Sequence, residues 1–253
     1  MAADDRAHGG PAPSVVVFRY APSRHGAHAE RFLDGCRGRY LQCDAYDGYA
    51  RLQRLERPEG GWTLVHCWSH VRRRFVKVLQ SAGSPVAETM IRHIAGLCAV
   101  EKAVRGMAPD AQLAARRELS APVVAAMKPW LEKQLSRLSS GSKLAEHIRY
   151  TLGAGSRLVH FLDDRRLDLD TNPIDNLIRP VALTRENSLF AGREIGAEHW
   201  APLASLVATC KINGVEPRAY LMATLGAIID GHPTKRIVGL MPWRFQPVST
   251  GTA

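Results

Sequence analysis

The chain has no run of 18 apolar residues, and its opening residues carry no apolar core of the kind found in secretory leaders. The first absence excludes a helical membrane span and the second a signal peptide of the usual composition. The expectation is a soluble, cytoplasmic protein with no membrane partner. Only five cysteines occur, at 36, 43, 67, 98 and 210, with no close pairs among them. That spacing indicates neither a disulfide framework nor a zinc ribbon, and reduced thiols are the default. No internal repeat is visible.

Basic residues are abundant. Lys and Arg number 34 against 24 Asp and Glu, a formal charge of +10, with runs such as Arg72-Arg73-Arg74. A polyanionic partner fits this balance, because phosphate contacts supply most non-specific nucleic-acid affinity. Many soluble proteins are equally basic, so charge alone leaves the partner open. At 253 residues the chain can bury one large core or two small ones.

The pattern changes along the chain. Residues 1–13 are small, polar and Gly/Pro-rich, which predicts a disordered start. Residues 15–20 form a short β-rich run, and HGAHAERFLDG reads as a helix ending at Gly35. RYLQCD at 39–44 is a strand ending in an acid, AYDGYARLQRL is a short helix, and WTLVHC at 62–67 is a third strand leading into a helix through SHVRRRFVKVLQSAG. Strands alternating with helices predict an α/β sheet. From 84 to 164 the reading is all-helical. Pro85 opens a helix with Met90, Ile91, Ile94, Leu97 and Cys98 on one face, Pro122 opens another, and 143–152 is a third. The bases of this stretch, Arg116, Arg117, Lys128, Lys133 and Arg137, are either a DNA surface or a solvated face. Residues 200–229 are helical with a turn at Asn213-Gly214, and 246–253 is a disordered tail.

The densest chemistry lies in DTNPIDNLIRPVALTRENSLFAG, 170–192. Ile174, Leu177, Ile178 and Val181 stand at helical spacing after Pro173, a residue suited to a first helical turn. A helix there buries an apolar face and carries Asp175 on a neighbouring polar one. Arg179 follows four residues on, with Arg185 and Asn187 beyond. Asp170 and Asn172 are either supports for a site or the helix cap, since both types favour that position.

This stretch resembles the end of the catalytic core of the insertion sequence 66 family of transposases, which reads Asp-Asn-Asn-x-x-Glu-Arg-x-Ile-Arg-Pro and then Arg-Lys-Asn-x-Leu-Phe-Ala-Gly. The chain keeps Asp170, Asn172, Ile178, Arg179, Pro180, Arg185, Asn187, Leu189, Phe190, Ala191 and Gly192. It departs at Thr171 for Asn, Asp175 for the catalytic Glu, and Glu186 for Lys. LQCDAYDGY at 41–49, CWSHVRRRF at 67–75, 204–221 and LMPW at 240–243 extend the resemblance over 15–243.

The resemblance implies a partial ribonuclease-H-like core over 14–199 with a helical insertion at about 84–164, and a helical C-terminal segment over 200–245. It implies Mg²⁺-dependent (or Mn²⁺-dependent) DNA strand cleavage and transfer at transposon ends. Asp44 then matches the second catalytic and metal-binding acid and Asp175 the third, one methylene shorter than Glu. Asp170, Asn172, Arg179, Arg185, Asn187, His70, Arg72 and Arg73 become supports or DNA-phosphate contacts. The family's first acid, in an Asp-Glu-Thr motif, has no counterpart here. Asp4 and Asp5 align with the linker that follows it. The expectation is a truncated chain, inactive alone, unless a separate N-terminal fragment completes it; accessory proteins of the same element are further expected partners. A non-catalytic DNA-binding or interaction protein is the alternative. Gly153-Ala154-Gly155 stands where the family has a helical segment with a Trp, and each glycine costs up to ~1 kcal/mol in a helix. Glu186 puts an anion beside a phosphate-facing surface, and a missing neighbour leaves the 15–20 strand with an open edge. Cys67 and His70 have metal-like spacing, but a zinc site needs three or four ligands.

Overall fold

The computed structural model describes residues 1–3, 12–187 and 194–246, with only the backbone described for 184–187. The elements in chain order are β1 (Ala2–Ala3), β2 (Val15–Val16), α1 (Gly26–Phe32), β3 (Tyr40–Cys43), a 3-10 helix (Asp47–Arg54), β4 (Thr63–His66), α2 (Trp68–Ala82), α3 (Pro85–Ala103), α4 (Pro109–Ala115), α5 (Ala121–Leu135), α6 (Lys143–Leu158), α7 (Asn172–Asn187), α8 (Glu194–Ile212) and α9 (Pro217–Ile229). A π-helical turn, Arg116–Ser120, joins α4 to α5, and 3-10 turns at Thr234–Leu240 and Pro242–Arg244 follow α9. The chain divides into two compact units, Arg24–Pro173 and Met1–Ser23 with Ile174–Ala253.

Arg24–Pro173 is built on a helical core and one parallel strand pair. β3 and β4 pair from Tyr40↔Thr63 to Cys43↔His66, so the ends of both strands come level at Cys43 and His66. α2 buries Trp68, Val71, Phe75 and Val78 along one stripe. It stops at Gly83, whose φ of +59° is a left-handed cap that glycine takes without strain. Two residues later Pro85 starts α3, capped by Ser84, whose Oγ accepts the Ala87 N–H at 3.3 Å. α3 buries Ala87, Met90, Ile94 and Leu97. These residues join Met127 and Leu131 of α5, Ile148, Ala154 and Leu158 of α6, and Phe161 in a single core. A smaller core of Leu33, Leu52, Trp62 and Leu64 sits under α1 and the 3-10 helix.

The elements differ from expectation at several points. Arg116 is buried, not solvated, at 2 % exposure. Its guanidinium makes a two-pronged bond to Glu101 at 2.7 Å and donates to the carbonyls of Phe161 (3.3 Å) and Leu167 (2.9 Å). Arg117, Lys128, Lys133 and Arg137 are exposed. Cys98 is exposed, one position off the buried stripe of α3. α6 runs unbroken through Gly153-Ala154-Gly155, because Ile148, Thr151, Ala154 and Leu158 give it a buried face that outweighs the glycine cost.

The other unit is mostly helix around a minimal strand pair. The strand at 15–20 shortens to two residues, paired antiparallel with Ala2–Ala3. Its second edge is not open. Thr209 of α8 accepts the Val16 N–H at 3.0 Å and donates to the Val16 carbonyl at 3.1 Å. Ser205, one turn earlier, accepts from Phe18 N–H at 2.8 Å, and Asn213, one turn later, donates to the Ser14 carbonyl at 2.8 Å. Side chains of one helix thus do the work of a neighbouring strand. Gly214, with φ +68°, supplies the expected turn, and Glu216 caps α9 by accepting from the N–H groups of Arg218 and Ala219. Across the described residues the chain is mostly helical with two short sheets. No helix among them is long and apolar enough to cross a membrane.

Candidate active site

Asp44 follows the last residue of β3, at the end where β3 and β4 finish together. In parallel sheets this carboxyl end is where ligands bind. His66 stands on the adjacent strand, level with Cys43. It is 6 % exposed, and its pKa falls to about 4 because burial, helped by the nearby Arg157 guanidinium, disfavours the imidazolium; the Asp44 carboxylate pulls the other way. The Cys43 thiol is pushed up to about 12 by burial and by Asp44, against Arg157. The charges of Asp44 and Arg157 thus both act on His66 and on Cys43. Arg157 of α6 donates to Gln53 Oε1 at 2.9 Å, and Arg74 of α2 lies 3.8 Å above the ring of Tyr150. A cleft of about 240 Å³ opens here.

A second cluster joins the start of α2 to the residues that lead into α7. Cys67 Sγ accepts from Thr171 N–H at 3.2 Å and from Thr171 Oγ1 at 3.3 Å. Burial pushes the Cys67 thiol up, but hydrogen bonds from His70 and Thr171 outweigh it and bring the thiol below its ordinary value. Asp170 acts as the cap of α7. Its Oδ1 accepts Asn172 N–H at 2.9 Å, and its Oδ2 accepts Asn172 Nδ2 at 2.6 Å and Ser69 Oγ at 3.0 Å. Gln42 of β3 donates to the carbonyls of Asp168 and Asp170, at 2.7 and 3.3 Å. Asp170 thus holds the backbone at the start of α7, and the Asn172 side chain bonds to the Asp170 carboxylate.

Asp175 sits half-buried in the first turn of α7, with Arg179 exposed one turn on. The apolar face expected there is incomplete: Ile174, Leu177 and Val181 are half-buried, while Ile178 and Leu183 are 48 % and 52 % exposed. Asp44 and Asp175 belong to different units. Arg72 and Arg73 are exposed on α2, beside the half-buried His70. The side chains of Arg185, Glu186 and Asn187, the stretch 188–193, and Asp4 and Asp5 lie outside the described residues. Among the described residues, no group of three His, Cys, Asp or Glu side chains is placed to hold a metal ion.

The Transposase IS66 family matches residues 1–199. This chain belongs to that family. The IS66 C-terminal element matches residues 205–243. Among curated relatives, the uncharacterized protein y4qI of Sinorhizobium fredii is 39 % identical over 253 residues, covering 99 % of this chain and 47 % of the relative. The uncharacterized protein y4jD of the same organism is 36 % identical over 256 residues, covering 100 % and 50 %. The IS66 chain thus spans about half the length of the curated relatives it matches. No solved structure matches it. His66, Arg149, Tyr150 and Arg157 were missed in the motif reading. The one available signal was that His66 ends a strand beside the strand carrying Asp44.

Proposed function

We propose that this IS66 chain contributes the second and third acids of a transposase catalytic centre, Asp44 and Asp175, to Mg²⁺-dependent (or Mn²⁺-dependent) cleavage and transfer of DNA strands at transposon ends. The reading takes the β3–β4 pair as part of a ribonuclease-H-like sheet. The observation that carries it is the position of Asp44 at the level ends of two parallel strands, beside a guanidinium and a neutral imidazole. Bound divalent metal would activate the attacking oxygen and stabilise the leaving one. Among the described residues no three ligands stand together, and the family resemblance implies a first acid in an Asp-Glu-Thr motif. We therefore propose that DNA cleavage needs a further carboxylate, and that this chain binds DNA without cutting it.

The test is a nicking assay on labelled transposon-end DNA with Mg²⁺ or Mn²⁺. The full chain is used alone and with a separately supplied segment carrying the Asp-Glu-Thr acid. Binding alone, and nicking only on supplementation, is the expected result. Asp44→Asn and Asp175→Asn should each abolish that nicking. Nicking that survives both substitutions overturns the assignment. DNA binding that never leads to nicking supports the second reading, a non-catalytic DNA-binding protein, which the charge of +10 favours.

A further inference from the structure

The cleft beside Asp44 is lined along one side by a stripe of α6. Arg149, Gly153 and Arg157 recur every fourth residue, so they share one helical face, two guanidiniums with a glycine between them. A Cβ added at Gly153 would meet nothing within 4 Å, so the floor between the arginines is open. Arg149 donates to the Ser140 carbonyl at 2.6 Å and Arg157 to Gln53, and among the described residues neither forms an ion pair with a carboxylate. Each guanidinium keeps further donors for a ligand. His66 of β4 also lines the cleft. It is 94 % buried and its Nδ1 has no hydrogen-bond partner. Buried polar atoms left bare are rare, and this one belongs to a residue that lines the cleft. Leu64 and the ring of Tyr150 add apolar surface.

Cationic ends, an apolar floor and an unpartnered imidazole match the parts of a nucleotide. We propose that this cleft holds one unpaired nucleotide of a DNA strand, its phosphates on Arg149 and Arg157 and its base over Gly153 against His66. The volume of about 240 Å³ is below the ~300–1,000 Å³ of small-ligand sites, so the cleft takes no more than one nucleotide and is far too small for duplex. Asp47 at the rim repels phosphate and keeps it on the α6 side. The proposal rests on the reading of Asp44 as an acid acting on DNA: a strand seated here passes its backbone beside that carboxylate.

The experiment measures binding of a fluorescent single-stranded oligonucleotide, and of a duplex of equal length, to the full chain in EDTA. With metal removed, cleft binding is separated from catalysis. The Arg149→Gln/Arg157→Gln double variant should lose about tenfold or more in single-strand affinity, and its log-log salt slope should become shallower by about 1.4. Gly153→Phe keeps both arginines but fills the floor, and the same loss is expected from it, with duplex affinity nearly unchanged. Far-UV circular dichroism and melting curves identify any variant that does not fold. In the unsubstituted chain, the His66 imidazole resonances should shift on addition of a dinucleotide, which needs no variant. Unchanged single-strand affinity in both variants, equal losses for single strand and duplex, or unmoved His66 resonances would each overturn the proposal. Intact cleft binding with Asp44→Asn leaving metal-dependent nicking untouched would sink only the catalytic reading.

Discussion

The two units bury their apolar residues to different degrees. Arg24–Pro173 holds both hydrophobic cores, with Phe75, Met90, Ile94, Leu97 and Ile148 fully buried. The other unit fully or nearly buries only a few large side chains among its described residues, such as Val16 and Tyr220, and exposes Ile195, Leu203, Met222, Leu225 and Ile229 by 55 % or more. The first is held by apolar burial; the second leans on polar bonds, such as the Ser205–Thr209–Asn213 series and the Tyr220 hydroxyl donating to the Leu240 carbonyl at 2.8 Å. A chain can thus attach helices to a short strand with few core residues, provided that side chains satisfy the backbone.

The sharpest way to break this contrast is a matched pair of truncations. Phe75→Ala should cost about 3–5 kcal/mol in denaturant unfolding, whereas Leu225→Ala, at a 55 % exposed site, should stay within about 0.5 kcal/mol. Similar losses at both sites would erase the distinction. As large is the expected effect of Glu101→Ala. It strips the buried Arg116 of its counter-ion and should cost about 3–5 kcal/mol, seen as a lower denaturation midpoint. In the other unit, Thr209→Val leaves the Val16 N–H without its acceptor. About 1–3 kcal/mol is expected, together with faster hydrogen exchange at Val16; unchanged exchange there would show the hydroxyl to be dispensable. The smallest effect is a gain. Gly153→Ala puts a methyl into open space on a helix and should stabilise by about 0.5–1 kcal/mol, read as a raised melting temperature.

The contrast also explains what could be read from sequence. β3, β4, α2 and α3 were legible because Pro85, Gly83 and the apolar stripes act locally. The place of Asp44 at the end of a strand was legible for the same reason. Arg116 was not, because its burial depends on Glu101 and on two carbonyls some 45 and 51 residues away. The cleft was not, because α6 brings Arg149 and Arg157 to β4 from far along the chain. α7 misled because a stripe of Ile and Leu says that a face is apolar, not that anything covers it. The Ser205–Thr209–Asn213 series along α8 and the residue after it was also invisible: Ser, Thr and Asn at every fourth position read as a polar face until a strand lies against them.

That series also sets a limit on length. Each step along α8 from Asn213 to Thr209 to Ser205 is four residues, about 6.0 Å of helical rise. Each matching step from Ser14 to Val16 to Phe18 is two residues of extended chain, about 6.6–6.8 Å. The two rulers run nearly in step, like the scales of a vernier, and slip by about 0.6–0.8 Å per rung. Over two steps the slip stays within the tolerance of a hydrogen bond, and over several more it would not. A strand read by a helix in this way has a natural end, and the series here runs two steps, from Ser14 to Phe18.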